Sequence, residues 1–206
     1  MVGFHDSVKA SRSIAQSTRI RRVHMSFANL ALIMERGRQA AKRVLVGSDR
    51  LPSIDEAEEL GYEANILDRV QKVKHPSTPR RNNKSRKYPV SGSQGTPGGP
   101  EMVAASGERW VEQGVDEILH LKILESLLDS DKPATIVLAT GDAAVAEFSG
   151  GFMKMVERAL QRGWIVELVS FAQGTSYAYR KKEFRAQWGD RFRLVELDPY
   201  VEELFE

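Results

Sequence analysis

Two aspartates fall where a sheet edge could use them. Asp142 closes the segment Ala134–Asp142 (ATIVLATGD), and Asp116 lies in Gly114-Val115-Asp116-Glu117, just ahead of a periodic apolar run. The apolar residues Ile136–Ala139 read as a buried strand of a parallel sheet, which puts Asp142 just past its C-terminal edge. Gly141 permits a sharp turn there. Asp116 falls in a first helical turn, with His120 one turn further along the same face. Glu147 follows in the loop after Asp142, and Asp6 follows the short stretch Val2–His5, which reads as the stub of a strand. Each residue also has a plain structural reading. Asp142 would cap the following turn, and Asp116 would be a favourable partner of a helix dipole. Glu147 would be a solvated loop acid and His120 a solvent-exposed histidine. Asp6 would stand beside Asp142 only if its strand is central.

Carboxylates that converge on one sheet edge repel one another, so they are stable together mainly around a cation. Oxygen ligands favour Mg²⁺ or Mn²⁺ over zinc. Such an ion lowers the pKa of a bound water and stabilises charge on a phosphodiester. On the chemical reading Asp116, Asp142 and Asp6 hold the ion, and Glu147 supplies a further oxygen.

The charge pattern agrees with a polyanionic partner. Between Arg69 and Pro100 there are eight Lys/Arg and no acid, which leaves the remainder at −6 once they are taken from a net of +2. Lys72, Lys74, Arg80, Arg81, Lys84, Arg86 and Lys87 could hold a nucleic-acid backbone. The plain alternative is a solvated linker or a localisation signal.

Stepping outward along the chain, Phe27–Met34 reads as a helix with Ser26 as N-cap and Gly37 past its end. Arg43–Gly47 reads as a strand, Ile54–Leu60 as a helix and Glu63–Leu67 as a strand. Gln71–Gly107 is rich in Pro, Gly, Ser, Lys and Arg. It reads as a flexible basic insertion in a single domain spanning residues 1–206. Val115–Leu128 has helical periodicity, with Val115, Ile118, Leu119, Ile123 and Leu127 on one face. Thr135–Thr140 is a strand, Gly151–Gln161 an amphipathic helix, Trp164–Ser170 a strand, Tyr177–Trp188 a helix and Phe192–Glu196 a last strand. This alternation predicts an α/β fold, a mostly parallel sheet with helices on both faces. In such sheets ligands bind outside the carboxyl ends of the strands.

Other chemistries are poorly supported. The chain has no cysteine, which excludes a thiol nucleophile and a thiolate zinc site. It has neither a G-x-S-x-G elbow nor a Walker A loop. Gly150-Gly151 ahead of a helix is a weak anion-binding signal. No apolar run is long enough to span a bilayer, and no secretory signal opens the chain. The expectation is an intracellular protein, cytoplasmic or nuclear, without a membrane partner.

The order of these segments resembles the NYN domain of the PIN-like nuclease superfamily. The motifs that carry the likeness are Gly114-Val115-Asp116 at a helix start, and a strand ending in Thr140-Gly141-Asp142. Further support is the helix closed by Gly163 ahead of Trp164–Ser170, and the final helix and strand within Tyr177–Glu196. The likeness runs over most of 22–197, interrupted by the basic segment. It implies a Rossmann-like, three-layer α/β/α fold, Mg²⁺ or Mn²⁺, and hydrolysis of RNA, single-stranded for preference. Asp116 and Asp142 carry over as catalytic acids. The family's second acid in S-G-D-x-D is Ala144 here, with Glu147 as the substitute. The acid of the family's first strand has Asp6 as its closest match, with Lys9 where the family has Asn. The alternative is a catalytically inactive module of the same type that binds RNA or protein, including a second copy of itself. A nucleotide-binding Rossmann-like domain is a weaker third reading, without a dinucleotide fingerprint.

Overall fold

The computed structural model describes residues 3–21, 23–48, 52–73 and 108–205. They form two compact units, Met1–Asp68 with Glu112–Glu206, and Arg69–Val111.

The first unit begins with helix α1 (Phe4–Ser11) and helix α2 (Phe27–Glu35). The strand expected at Val2–His5 is therefore not formed over its described residues. Phe4 and Val8, one helical turn apart, are both buried, a spacing too short in sequence to separate helix from strand. In α2 the Ser26 Oγ accepts a hydrogen bond from the Asn29 amide at 3.2 Å, as an N-cap should. Glu56 accepts from the Phe27 and Ala28 amides as well, so two side chains satisfy the helix start.

Strand β1 (Val44–Gly47), helix α3 (Pro52–Glu59) and strand β2 (Glu63–Ile66) follow, and β1 pairs with β2 in parallel. The second unit is built on β3 (Val70–Val73) and β4 (Glu108–Val111), which pair antiparallel. Residues 71–73, expected to open the flexible insertion Gln71–Gly107, are instead part of a two-stranded ladder. Residues 74–107 lie outside the described residues.

The first unit resumes with helix α4 (Val115–Asp129), strand β5 (Thr135–Leu138), helix α5 (Gly151–Gln161) and strand β6 (Ile165–Ser170). Helices α6 (Tyr177–Arg180) and α7 (Lys182–Trp188) and strand β7 (Phe192–Glu196) complete it. Two short 3₁₀ turns, Asp198–Tyr200 and Glu202–Leu204, end the fold. One helix was expected over Tyr177–Trp188. The chain instead breaks at Lys181, whose ψ of 132° is extended.

Strands β5, β6 and β7 form a parallel ladder in that order. The sequence suggested one sheet, yet among the described residues β1–β2 and β5–β6–β7 are separate ladders. Strand β6 is the buried centre, and its residues alternate in the period-2 manner of strands. Val166 and Leu168 join Ile123, Leu127, Phe152, Met155, Val156, Leu160, Phe184 and Phe192 in one core. Val169 joins Phe4, Val8, Leu30, Phe171, Leu197 and Leu204 in a second core on the other face. Helices therefore cover both faces of this ladder. Each fully buried side chain in these cores contributes about 1.5–3 kcal/mol. Strand β5 is an edge of the ladder and only half-buried, not the buried strand its apolar run suggested.

One carboxylate is buried in β6. Glu167 is 2% exposed and pairs with Arg36, Arg38 and Arg193. Burial pushes its carboxyl up, but the Arg38 hydrogen bond and the charges of Arg36, Arg38 and Arg193 outweigh that and hold it below the ordinary range. This group ties the end of α2 to the sheet.

Candidate functional site

The residues just past β5 form a tightly pinned turn. Gly141 has no room for a side chain, since a Cβ there would lie 2.0 Å from the Gly174 carbonyl oxygen. The Gly141 carbonyl accepts from the Ser176 amide at 2.8 Å. The Asp142 carbonyl accepts from the Tyr179 hydroxyl at 2.8 Å. Tyr179 is fully buried, so the core itself holds the backbone of Asp142. Burial, then the Asp142 charge, pushes the Tyr179 hydroxyl well above its ordinary pKa, which keeps it a hydrogen-bond donor.

The Asp142 side chain is exposed, and its Oδ1 accepts from the Ala144 amide at 2.8 Å. That is the turn-capping role of an Asx residue. It occupies one oxygen and fixes the carboxylate's direction. The capping reading and the chemical reading of Asp142 are thus compatible.

Asp116 lies in the first turn of α4, half-buried. Burial raises its carboxyl pKa, His120 opposes the shift, and the charges of Asp142, Glu117 and Glu112 add to it. Asp116 and Asp142 therefore lie within one another's field. Glu117 accepts from the Phe148 amide at 2.8 Å, which fastens the loop after Asp142 to the start of α4.

His120 departs from the expectation of an exposed histidine, being 2% exposed. It shares a buried stripe with Ile123 and Leu127, at the i, i+3, i+7 spacing of a helix face. Its ring meets Phe152 edge-on at 4.4 Å between centroids. Nδ1 lies 2.7 Å from the Ser149 Oγ, and Nε2 has no hydrogen-bond partner among the described residues. The Gly151 amide donates to the same Ser149 oxygen at 3.5 Å. The Ser149 hydroxyl, with one proton and two lone pairs, can serve Nδ1 as donor or as acceptor while accepting from Gly151. Burial lowers the His120 pKa, against the raising effects of Asp116, Glu117 and Asp142. Ser149 and Gly151 pack the loop back on itself. Gly151 has φ +77°, and a Cβ there would meet the Ala144 carbonyl oxygen at 1.9 Å.

Asp116, Asp142 and His120 lie within reach of one another's charges. Asp6 sits exposed in the first turn of α1, not at a strand end, so the geometry that would have placed it beside Asp142 is absent. Glu147 is exposed in the loop. Among the described residues no three His, Asp or Glu side chains converge as metal ligands. Of the basic residues, Lys72 lies in β3 opposite Arg109. Lys74, Arg80, Arg81, Lys84, Arg86 and Lys87 lie outside the described residues.

Sequence reasoning missed Ser149 and Tyr179. Tyr179 carried no distinguishing signal, because Tyr177 and Tyr179 look alike in sequence. His120 did carry one, since it falls on the Ile123–Leu127 stripe. Among the described residues no helix is long and apolar enough to cross a membrane. Comparison of the chain with protein-family models, with curated proteins and with solved structures gives no match.

Proposed function

We propose that this chain is a metal-dependent ribonuclease of NYN type, with a Rossmann-like arrangement of its α/β layers. The observation that supports the reading is that Asp116, half-buried in the first turn of α4, feels the charge of Asp142 just past β5, while Glu117 beside it holds the Phe148 amide of the loop after Asp142. Burial first, then the neighbouring acids, disfavour the charged form of Asp116, and a bound divalent cation would oppose both effects.

Asp116 and the free oxygen of Asp142 would hold Mg²⁺ or Mn²⁺, which when bound supplies an acidified water and charge stabilisation at a phosphodiester. The rest of the work belongs to the chain. Tyr179 and Ala144 fix Asp142 through its carbonyl and Oδ1. Glu117 holds the Phe148 amide and so keeps the loop against α4. Neutral His120 fills the space beneath without adding a positive charge that would compete with the cation.

The test is cleavage of end-labelled single-stranded RNA in Mn²⁺, comparing wild type with Asp142→Asn and Asp116→Asn. The expected result is cleavage by wild type and a loss of about 10²-fold or more in each variant, the scale of removing one strong transition-state contact. Equal cleavage by wild type and variants sinks the proposal. A second reading is an RNA-binding module of the same type without hydrolysis. Ala144, where the family has an acid, favours it together with the absence of a third converging ligand among the described residues. That reading predicts binding of the same RNA and no cleavage in any metal.

A further inference from the structure

Two large aromatic rings stand in solvent on segments hydrogen-bonded to those that carry Asp116 and Asp142. Phe148 is 66% exposed and Tyr177 74% exposed. Single exposed apolar residues are ordinary, but these two are each fastened to an element that carries one of the acids. The Phe148 amide is hydrogen-bonded to Glu117, the residue after Asp116. Ser176, the residue before Tyr177, donates its amide to Gly141, the residue before Asp142. The backbone under both rings is therefore ordered. Tyr177 opens α6 behind the Ser176 N-cap, whose Oγ accepts from the Ala178 amide at 3.3 Å. Two residues later Tyr179 is buried and anchors Asp142. A buried anchor and an exposed ring thus alternate on one short helix.

Charge completes the pattern. Lys181 and Lys182 follow directly and are exposed, as is Arg185. Arg180 is committed elsewhere, donating to the Ala172 carbonyl and pairing with Glu196. An exposed ring next to exposed cations suits a nucleic-acid strand whose bases stack and whose phosphates are neutralised. Bases in a duplex already stack on one another, so such rings select unpaired nucleotides.

We propose that Tyr177 and Phe148 are base-stacking rings that seat a single-stranded RNA beside Asp116 and Asp142, with Lys181 and Lys182 countering its phosphates. This rests on the ribonuclease reading and sharpens it, since it assigns substrate selection to the unit that carries Asp116 and Asp142, independently of the basic segment 69–87.

The experiment measures binding of the full chain to a short labelled single-stranded RNA by fluorescence anisotropy in EDTA, where hydrolysis cannot intervene. Tyr177→Ala and Phe148→Ala each weaken binding by roughly five- to 150-fold, the range of one base–aromatic stack. Tyr177→Phe binds within about twofold of wild type, because the ring and not the hydroxyl stacks. On an abasic strand the alanine variants and wild type bind alike. Lys181→Ala with Lys182→Ala flattens the salt dependence by roughly 0.7 per lost phosphate contact. The rings are exposed, so thermal midpoints stay level and report folding. Wild-type affinity in both alanine variants overturns the proposal. So does an equal loss on the abasic strand, or a self-association that both variants abolish while RNA binding persists. The two readings separate cleanly. Ring-dependent binding without Mn²⁺ cleavage removes hydrolysis and keeps the stacking site, whereas cleavage indifferent to both rings does the reverse.

Discussion

Replacing Gly151 by alanine tests how the candidate site is held. Two costs apply. The residue has φ +77°, and a non-glycine residue in the left-handed region loses about 1–2 kcal/mol. Its new Cβ would also lie 1.9 Å from the Ala144 carbonyl oxygen, so the loop must move, at about 1–3 kcal/mol. Two other glycines separate these costs. Gly37 has φ +73° with nothing within 4 Å of its Cβ position, so it reports the backbone cost alone. Gly141 meets the Gly174 oxygen at 2.0 Å without a positive φ, so it reports the collision alone. Alanine also restricts the unfolded chain, a gain of about 0.4–1 kcal/mol common to all three. Differences between variants are therefore the readout. Urea melts should show Gly151→Ala losing about 1–3 kcal/mol more than Gly37→Ala. In melting temperature the gap is roughly 2–12 °C for a chain of this size. Mn²⁺-dependent RNA cleavage should fall in Gly151→Ala and Gly141→Ala and not in Gly37→Ala. Equal destabilisation by Gly151→Ala and Gly37→Ala would refute the claim that close packing fixes the loop.

Other predictions concern the ionisable groups. The folded pKa of Asp116 is raised by burial first, so the stability its protonated form contributes is present below the ordinary value and lost as pH rises through the folded value. Asp116→Asn should therefore melt higher than wild type at neutral pH, by about 0.2–1 kcal/mol after solvent screening, with the gap closing in acid; a lower midpoint in calorimetry contradicts this. His120 is shifted the opposite way. Its folded pKa is lowered by burial, so the unfolded chain binds the proton first. Stability should fall as pH drops through about 6.5 and level off below the depressed folded value. Chemical denaturation across that window should show a smaller pH slope for His120→Gln, and an unchanged slope would show that His120 is not the group responsible.

The sequence was most legible where one period ran long enough. Gly151–Gln161 repeats its apolar residues over three turns, and the helix has those bounds. Phe192–Glu196 likewise forms the strand expected of it. Short segments failed for lack of period, as at the amino terminus, where Phe4 and Val8 pack as one helical face. The break at Lys181 was illegible for a different reason. It lies two residues past Tyr179, whose hydroxyl reaches the Asp142 carbonyl, a contact between residues 37 apart in sequence. The site was half-legible. Asp116 and Asp142 announce themselves by following a glycine-containing turn at an element end. The burial of His120 depended on Phe152 and Ser149, which reach it only through the packing of α5 on α4. Asp6 was assigned on a strand that the structure does not contain, so its proposed partnership had no geometry to support it.

The central claim is that Asp116 and Asp142 serve one ion. Mn²⁺ titration followed by electron paramagnetic resonance tests it most directly, using wild type, each single asparagine variant and the double variant. The account predicts a site in wild type that either single substitution removes as fully as the double one does, because two ligands of one ion act as a unit. A site that survives both substitutions, or losses that simply add, would contradict it.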